Sequence, residues 1–243
     1  MDYNEQQEPW YSPVRIIKEF SKLSQVYESK IEDPVFRRAQ EMFMGAITLL
    51  GAYELSPENK YFMQSNNQSP SPDVMAAKLT EIPNKPILLE MVQIELVEME
   101  EHMETNDPFE FLMGTKLSKK KSYSENDLIT LVINKRIKFD PKSIYDNLQN
   151  INPKPTIYIV GKPLNTAGAF SITRVWPRLT KTVTFNAGET AKKYSIPERV
   201  SLRKGMAKKI TYENLRTENI NTFNVFALKF EVIEKKFPLV FKN

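Results

Sequence analysis

The sequence predicts an α/β protein, with one mixed central β-sheet flanked by helices and a basic, β-containing C-terminal extension. Three observations carry that prediction. Apolar residues recur at helical spacing in two stretches opened by Ser12-Pro13 and Asp33-Pro34. Three strand-like segments then follow one another between residues 60 and 99. Finally, two aliphatic stretches, 127–133 and 156–160, alternate with segments opened by Asp107-Pro108 and Asp140-Pro141. Alternation of this kind marks parallel strands joined by crossover helices.

Each element has its local reason. Ser12 is an N-cap and Pro13 suits a first helical turn, with Ile16, Ile17, Phe20, Leu23 and Tyr27 on one face. Asp33-Pro34 repeats the signal, and Val35, Phe36, Ala39, Phe43, Ala46, Ile47 and Leu50 give a more apolar helix expected to end near Gly51. Strands are expected at 60–64, 73–80 and 87–99; in the last, Leu, Met and Glu leave helix as a competitor. Asp107-Pro108 opens a short helix to about Leu117, and Asp140-Pro141 opens another to about Asn150. Stretches 127–133 and 156–160 read as strands buried on both faces. Further strands are expected at 170–175, 182–185 and 224–233. The organisation expected is a core over residues 1–190 and an extension over 191–243 that packs on the core or on a partner.

Composition narrows the chemistry. With no cysteine and only His102 among 243 residues, thiolate nucleophiles, sulfur-built zinc sites and His-based triads are excluded or hard to build. Seven glycines and no phosphate-loop or dinucleotide fingerprint exclude the common nucleotide cradles. Any chemistry falls to Asp, Glu, Lys or Tyr, and any metal would be a hard one such as Mg²⁺ or Mn²⁺. The polar N-terminus shows no leader and no apolar run reaches membrane length, so a cytoplasmic protein with no membrane partner is expected.

The net charge of +4 is unevenly spread. Residues 81–107 hold eight acids and one base, whereas residues 162–209 hold eleven bases and two acids. A basic arm beside an acidic centre suits phosphates on one surface and a metal on another; mutual pairing or simple solvation would produce the same pattern. Lys192, Lys193, Arg199, Arg203, Lys204, Lys208 and Lys209, with Tyr194 and Tyr212 nearby, are the nucleic-acid candidates. Trp176, beside Arg174 and Arg178, suits either base stacking or packing at a strand end.

Strand parity singles out one acidic stretch. Met91, Gln93, Glu95 and Val97 face one way and Glu90, Val92, Ile94, Leu96 and Glu98 the other, which makes Gln93 with Glu95 the more site-like pair. Pro72-Asp73 heads the preceding strand, 22 residues before Glu95, and Glu41 lies in the helix before that. In order of elements and in these residues, 34–160 resembles the core of the PD-(D/E)XK nuclease superfamily, which includes many restriction endonucleases. The resemblance implies Asp73, Glu95 and Glu41 as ligands of Mg²⁺ or Mn²⁺, and a lysine two places after the strand acid. Val97 and Val92 stand there instead, so Lys116 in the following helix is the substitute lysine. The catalytic set implied is Asp73, Glu95, Gln93 and Lys116.

Two functions follow as expectations. One is metal-dependent phosphodiester hydrolysis of nucleic acid, or nucleic-acid binding by a catalytically impaired descendant. The other is a non-enzymatic scaffold or interaction subunit of a larger mobile-element or defence assembly, with a protein partner or a second copy of the chain. Plain structural roles compete at every position: Asp73 as a turn residue, Glu41 facing solvent, Glu98, Glu100, Glu101 and Glu104 as an exposed acidic rim, and His102 at the surface.

Overall fold

The computed structural model describes residues 10–26, 34–65, 72–80, 88–118, 122–163, 168–194, 199–204, 223–225 and 228–231. It is an α/β structure with a mixed sheet between two helical layers. The order is β1 (Trp10–Tyr11), α1 (Pro13–Val26), α2 (Pro34–Leu55), β2 (Asn59–Ser65), β3 (Val74–Thr80), β4 (Leu88–Met99), α3 (Pro108–Leu112), a π-helical turn (Met113–Leu117), β5 (Asp127–Ile133), α4 (Pro141–Ile151), β6 (Thr156–Gly161), β7 (Ala169–Trp176), β8 (Val183–Asn186) and α5 (Ala187–Lys193). Backbone segments β9 (Arg199–Lys204), β10 (Phe223–Val225) and β11 (Leu228–Glu231) complete it. The sheet runs β10-β11-β9-β1-β2-β3-β4-β5-β6-β7-β8. Only β4, β5 and β6 are mutually parallel; β2, β3 and β4 form an antiparallel meander.

Caps explain most of the element starts. Ser12 Oγ accepts the Arg15 N–H at 3.3 Å at the head of α1. Asp107 accepts from Phe109 N at 2.8 Å, Asp140 from Lys142 N at 2.9 Å and Asn186 from Gly188 N at 2.9 Å, satisfying first-turn donors that have no partner within the helix. α4 stops at Asn152, which takes the left-handed conformation (φ 50°).

The two faces of the sheet have separate cores. Ile16, Met42, Ile47 and Leu50 from α1 and α2 pack with Val74, Ile94, Leu128, Val132 and Val160. Leu112, Ile144 and Leu148 from α3 and α4 pack with Val97, Met99, Ile129, Leu131, Ile157 and Trp176 on the other face. β5 is buried along its whole length, including Asp127 and Thr130, as expected of a central strand covered on both faces.

Three expectations need correction. α2 does not end near Gly51 but continues to Leu55. Gly51 is a packing glycine: a Cβ there would stand 2.8 Å from Ile172 Cδ1 and 2.9 Å from Phe185 Cε1. Gly51→Ala should therefore destabilise the fold by about 1 kcal/mol, overpacking of ~1–3 kcal/mol outweighing the helix-propensity gain of ~1 kcal/mol. A urea titration reads it, and an unchanged or raised midpoint would refute the close approach. Leu88–Met99 is strand as expected, since pairing on both sides overrides the helix preference of Leu, Met and Glu. Helix α3 stops at Leu112, with the remainder to Leu117 coiled as a π turn in which Ser118 N donates to Met113 O at 3.0 Å. In place of one strand over 224–233, the backbone forms the β10–β11 hairpin.

Three elements carried no periodic signal: the two-residue β1, the α5 helix and β9. The boundary expected after residue 190 falls inside α5, and Tyr194 is buried beyond it, its hydroxyl donating to Tyr61 O at 2.8 Å and accepting from Tyr61 N. Most of 191–243, including Lys208 and Lys209, lies outside the described residues. No helix among the described residues is long and apolar enough to cross a membrane.

Candidate functional site

The antiparallel register of β3 and β4 pairs Val74 with Ile94. One step further out, Asp73 comes beside Glu95, and its Oδ2 accepts the Leu96 N–H at 2.7 Å. Asp73 is therefore more than a turn residue: it supplies the acceptor that the ladder lacks where β3 begins. Its role in holding the strands together is independent of any chemistry.

Glu95 is 3 % exposed. It lies on the α3–α4 face, as parity requires, beside half-buried Gln93. Burial of a carboxylate needs compensation, and Lys116 provides it, with Nζ 2.7 Å from Glu95 Oε2. The π turn inserts an extra residue into the helical path, so it changes the face on which Lys116 emerges. Val97, in the position where the resemblance expects lysine, is 6 % exposed in the apolar core of the same face. An ammonium in place of Val97 would be desolvated; one arriving from Lys116 keeps part of its hydration, at 23 % side-chain exposure.

Sequence reasoning missed Asp127 and Tyr123. Asp127 pairs in register with Gln93 and so shares the Glu95 face. It is 8 % exposed; Oδ2 accepts from Ser124 N at 2.5 Å, while Oδ1 has no hydrogen-bond partner among the described residues. Burial pushes the Tyr123 hydroxyl pKa up, and the Asp127 and then the Asp73 carboxylates add to the effect. Asp73, Asp127 and Tyr123 thus share one neighbourhood. An acid opening a strand that is otherwise aliphatic but for Thr130 was the available signal.

Glu41 is half-buried on α2, so it does not simply face solvent. Burial and then the nearby Asp73 charge raise its pKa, against the pull of Arg37 and Arg38. Among the described residues, no three Asp, Glu, His or Cys side chains gather into a group able to hold a metal ion.

The expected acidic rim divides. Glu101, Glu104 and His102 are exposed, but Glu98 is half-buried on the α2 face, with Oε2 accepting from Asn134 Nδ2 at 3.1 Å. Burial, the hydrogen bond and charge of Glu100, and Glu41 push the Glu98 pKa up to about 7, against the lowering contact of Asn134. Trp176 is packed: 9 % exposed, with Nε1 donating to Pro153 O at 2.6 Å and its ring 6.1 Å from that of Tyr145.

Of the basic candidates, the two with described side chains do not lie beside Glu95. Lys192 and Lys193 are exposed on α5, and Lys193 pairs with Glu54 at 3.2 Å. α5 packs on α2 through the Ala187 and Tyr194 core, the face opposite Glu95. Arg199, Arg203 and Lys204 lie along the backbone of β9. Compared with known proteins, the chain matches no family model, no curated protein and no solved structure.

Proposed function

We propose that this protein is a nuclease-type phosphodiester hydrolase or nucleic-acid binder of the PD-(D/E)XK kind, acting on nucleic acid in the cytoplasm. The observation that carries the reading is the Lys116 ammonium 2.7 Å from Glu95 Oε2, with Asp73 at the adjoining end of β3, where its Oδ2 accepts the Leu96 N–H at 2.7 Å. The donor chemistry suits a hard cation: Mg²⁺ keeps several waters and needs only one or two carboxylates, so Asp73 and Glu95 suffice without a protein cage. A bound Mg²⁺ or Mn²⁺ would polarise the scissile phosphate and lower the pKa of a water ligand. Lys116 then places positive charge where the phosphate becomes more negative. Asp127, with one unbonded carboxylate oxygen, and Gln93 line the same face.

The test is nicking of supercoiled plasmid, with a structured RNA in parallel, in Mg²⁺ and in Mn²⁺. Wild type should cleave one of them. Glu95→Gln and Asp73→Asn should each slow cleavage by about 10²-fold or more; Asn retains an oxygen for Leu96 N, so a loss of cleavage would not report a broken ladder. Cleavage surviving both changes would remove these residues from the mechanism.

Val97 buried in the lysine position favours a second reading, a non-enzymatic subunit that binds a protein partner or a second copy of itself. In that case Asp73 and the Glu95–Lys116 pair are structural. Binding of DNA or RNA that weakens steeply with salt would support the first reading, since phosphate contacts release counterions. Binding of neither, with cleavage absent, would select the second.

A further inference from the structure

A cleft of about 1000 Å³ lies on the sheet face opposite Glu95, between α1, α2 and the ends of the three parallel strands. The segments after β4 (Glu100, His102), β5 (Asn134, Arg136) and β6 (Lys162, Pro163) form one side. Carboxyl ends of parallel strands are where open α/β sheets bind ligands, because the chain leaves the sheet there and frees backbone and side chains to face a crevice. The volume is at the upper end of the ~300–1,000 Å³ typical of small-molecule sites.

Its lining is polarised. Phe20, Phe36 and Phe43 form an aromatic wall, each half-buried, with the Phe20 and Phe43 rings stacked at 4.4 Å and the Phe20 and Phe36 rings at 5.9 Å. Facing them is a hydrogen-bonding edge in which Asn134 Nδ2 joins Glu98 Oε2 at 3.1 Å to Glu100 Oε1 at 2.9 Å. The exposed cations Arg136 and Lys162 stand at the mouth. Lys135 is already engaged, its ammonium donating to the Met103 and Thr105 carbonyls.

We infer that this cleft binds a free nucleoside monophosphate. The base would lie on the phenyl wall, its polar edge would meet Glu98 and Asn134, and its phosphate would meet Arg136 and Lys162. A planar ring fits the wall because aromatic stacking accepts any π-face. With both Asn134 N–H bonds directed to Glu98 and Glu100, the carboxylate oxygens and the amide Oδ1 offer acceptors to the amino and ring N–H groups of a base edge. A phosphate complements the two exposed cations. A purely apolar ligand would cover the remaining acceptor capacity of Glu98, Glu100 and Asn134 and desolvate it. The inference does not depend on the nuclease reading, since Glu95, Asp73 and Lys116 do not line the cleft.

The experiment is calorimetric titration of the full chain with the 5′-monophosphates of adenosine, guanosine, cytidine and uridine, and with adenosine and inorganic phosphate alone. At least one monophosphate should bind in the micromolar to millimolar range, at least tenfold more tightly than phosphate. Arg136→Ala/Lys162→Ala should weaken the monophosphate about tenfold while leaving adenosine unaffected. Phe20→Leu, which keeps the apolar volume, should weaken both by about tenfold. Lys142→Ala, an exposed position on α4 across the sheet from the cleft, should leave all the affinities unchanged. No binding by any monophosphate, or binding insensitive to both the cation and the phenyl changes, would overturn the assignment. Folding of each variant is verified by its urea midpoint.

Discussion

Lys116→Met should lower the free energy of unfolding by about 3 kcal/mol, the largest stability effect of any single change at the candidate site. Glu95 is 3 % exposed and its carboxylate sits 2.7 Å from the ammonium. Removing one partner of a buried ion pair costs ~3–5 kcal/mol, because the remaining charge loses its compensation while staying desolvated. The lower end applies here, since the lysine side chain retains 23 % exposure. The double variant Glu95→Gln/Lys116→Met should recover most of the loss, as the buried charge is then gone. Urea unfolding of the wild type, both single variants and the double closes the cycle. A Lys116→Met midpoint within error of the wild type would show that the pair contributes nothing to stability. Cleavage assays on this variant need a temperature at which it is fully folded.

Glu98→Gln should flatten a fall in stability that the wild type shows between about pH 5 and pH 8. The Glu98 pKa rises from 4.5 to about 7 in the folded protein, through burial first and the Glu100 carboxylate second. Between those values the folded state holds a proton that the unfolded chain has released, so stability declines as pH climbs, and the decline is complete above the folded pKa. Each pH unit in that window is worth at most about 1.4 kcal/mol, and solvent screening at a half-buried site reduces the total to about 1.5 kcal/mol. Glutamine mimics the protonated carboxyl and does not titrate. The variant should match wild type at pH 5 and exceed it by about 1.5 kcal/mol at pH 8.5. Equal slopes for the two proteins would place the titration elsewhere. Glu41, raised by burial and by Asp73, contributes a slope of the same sign to both proteins.

The candidate site was legible to the extent that it depends on local order and strand parity. Pro72-Asp73 at the head of a strand and the Gln93–Glu95 face come from short-range pattern, while Lys116 was reached only through the family resemblance; the structure bonds Asp73 to Leu96 N and pairs Lys116 with Glu95. Asp127 was not legible because its importance arises from parallel pairing with Gln93, 34 positions earlier in the chain. Glu98 was misjudged as rim because its burial comes from α1 and α2, which no pattern near residue 98 reveals. Of the basic residues that make the charge asymmetry, Lys192 and Lys193 are on the sheet face opposite Glu95.

What the amino-acid order determined by itself was the class and most of the elements: Ser and Asp caps before proline, aliphatic runs for the central strands, and period-two parity along β4. These are local preferences, written in neighbouring residues, and they survive without knowledge of the rest of the chain. Only the tertiary structure decided that Gly51 lies inside a helix, that residues 88–99 are strand, that Lys116 compensates Glu95, and that three phenylalanines and a half-buried glutamate share a cleft. The reason is physical. Burial and pairing energies come from residues distant in sequence, and where they exceed propensities of a few tenths of a kcal/mol per residue they set the outcome.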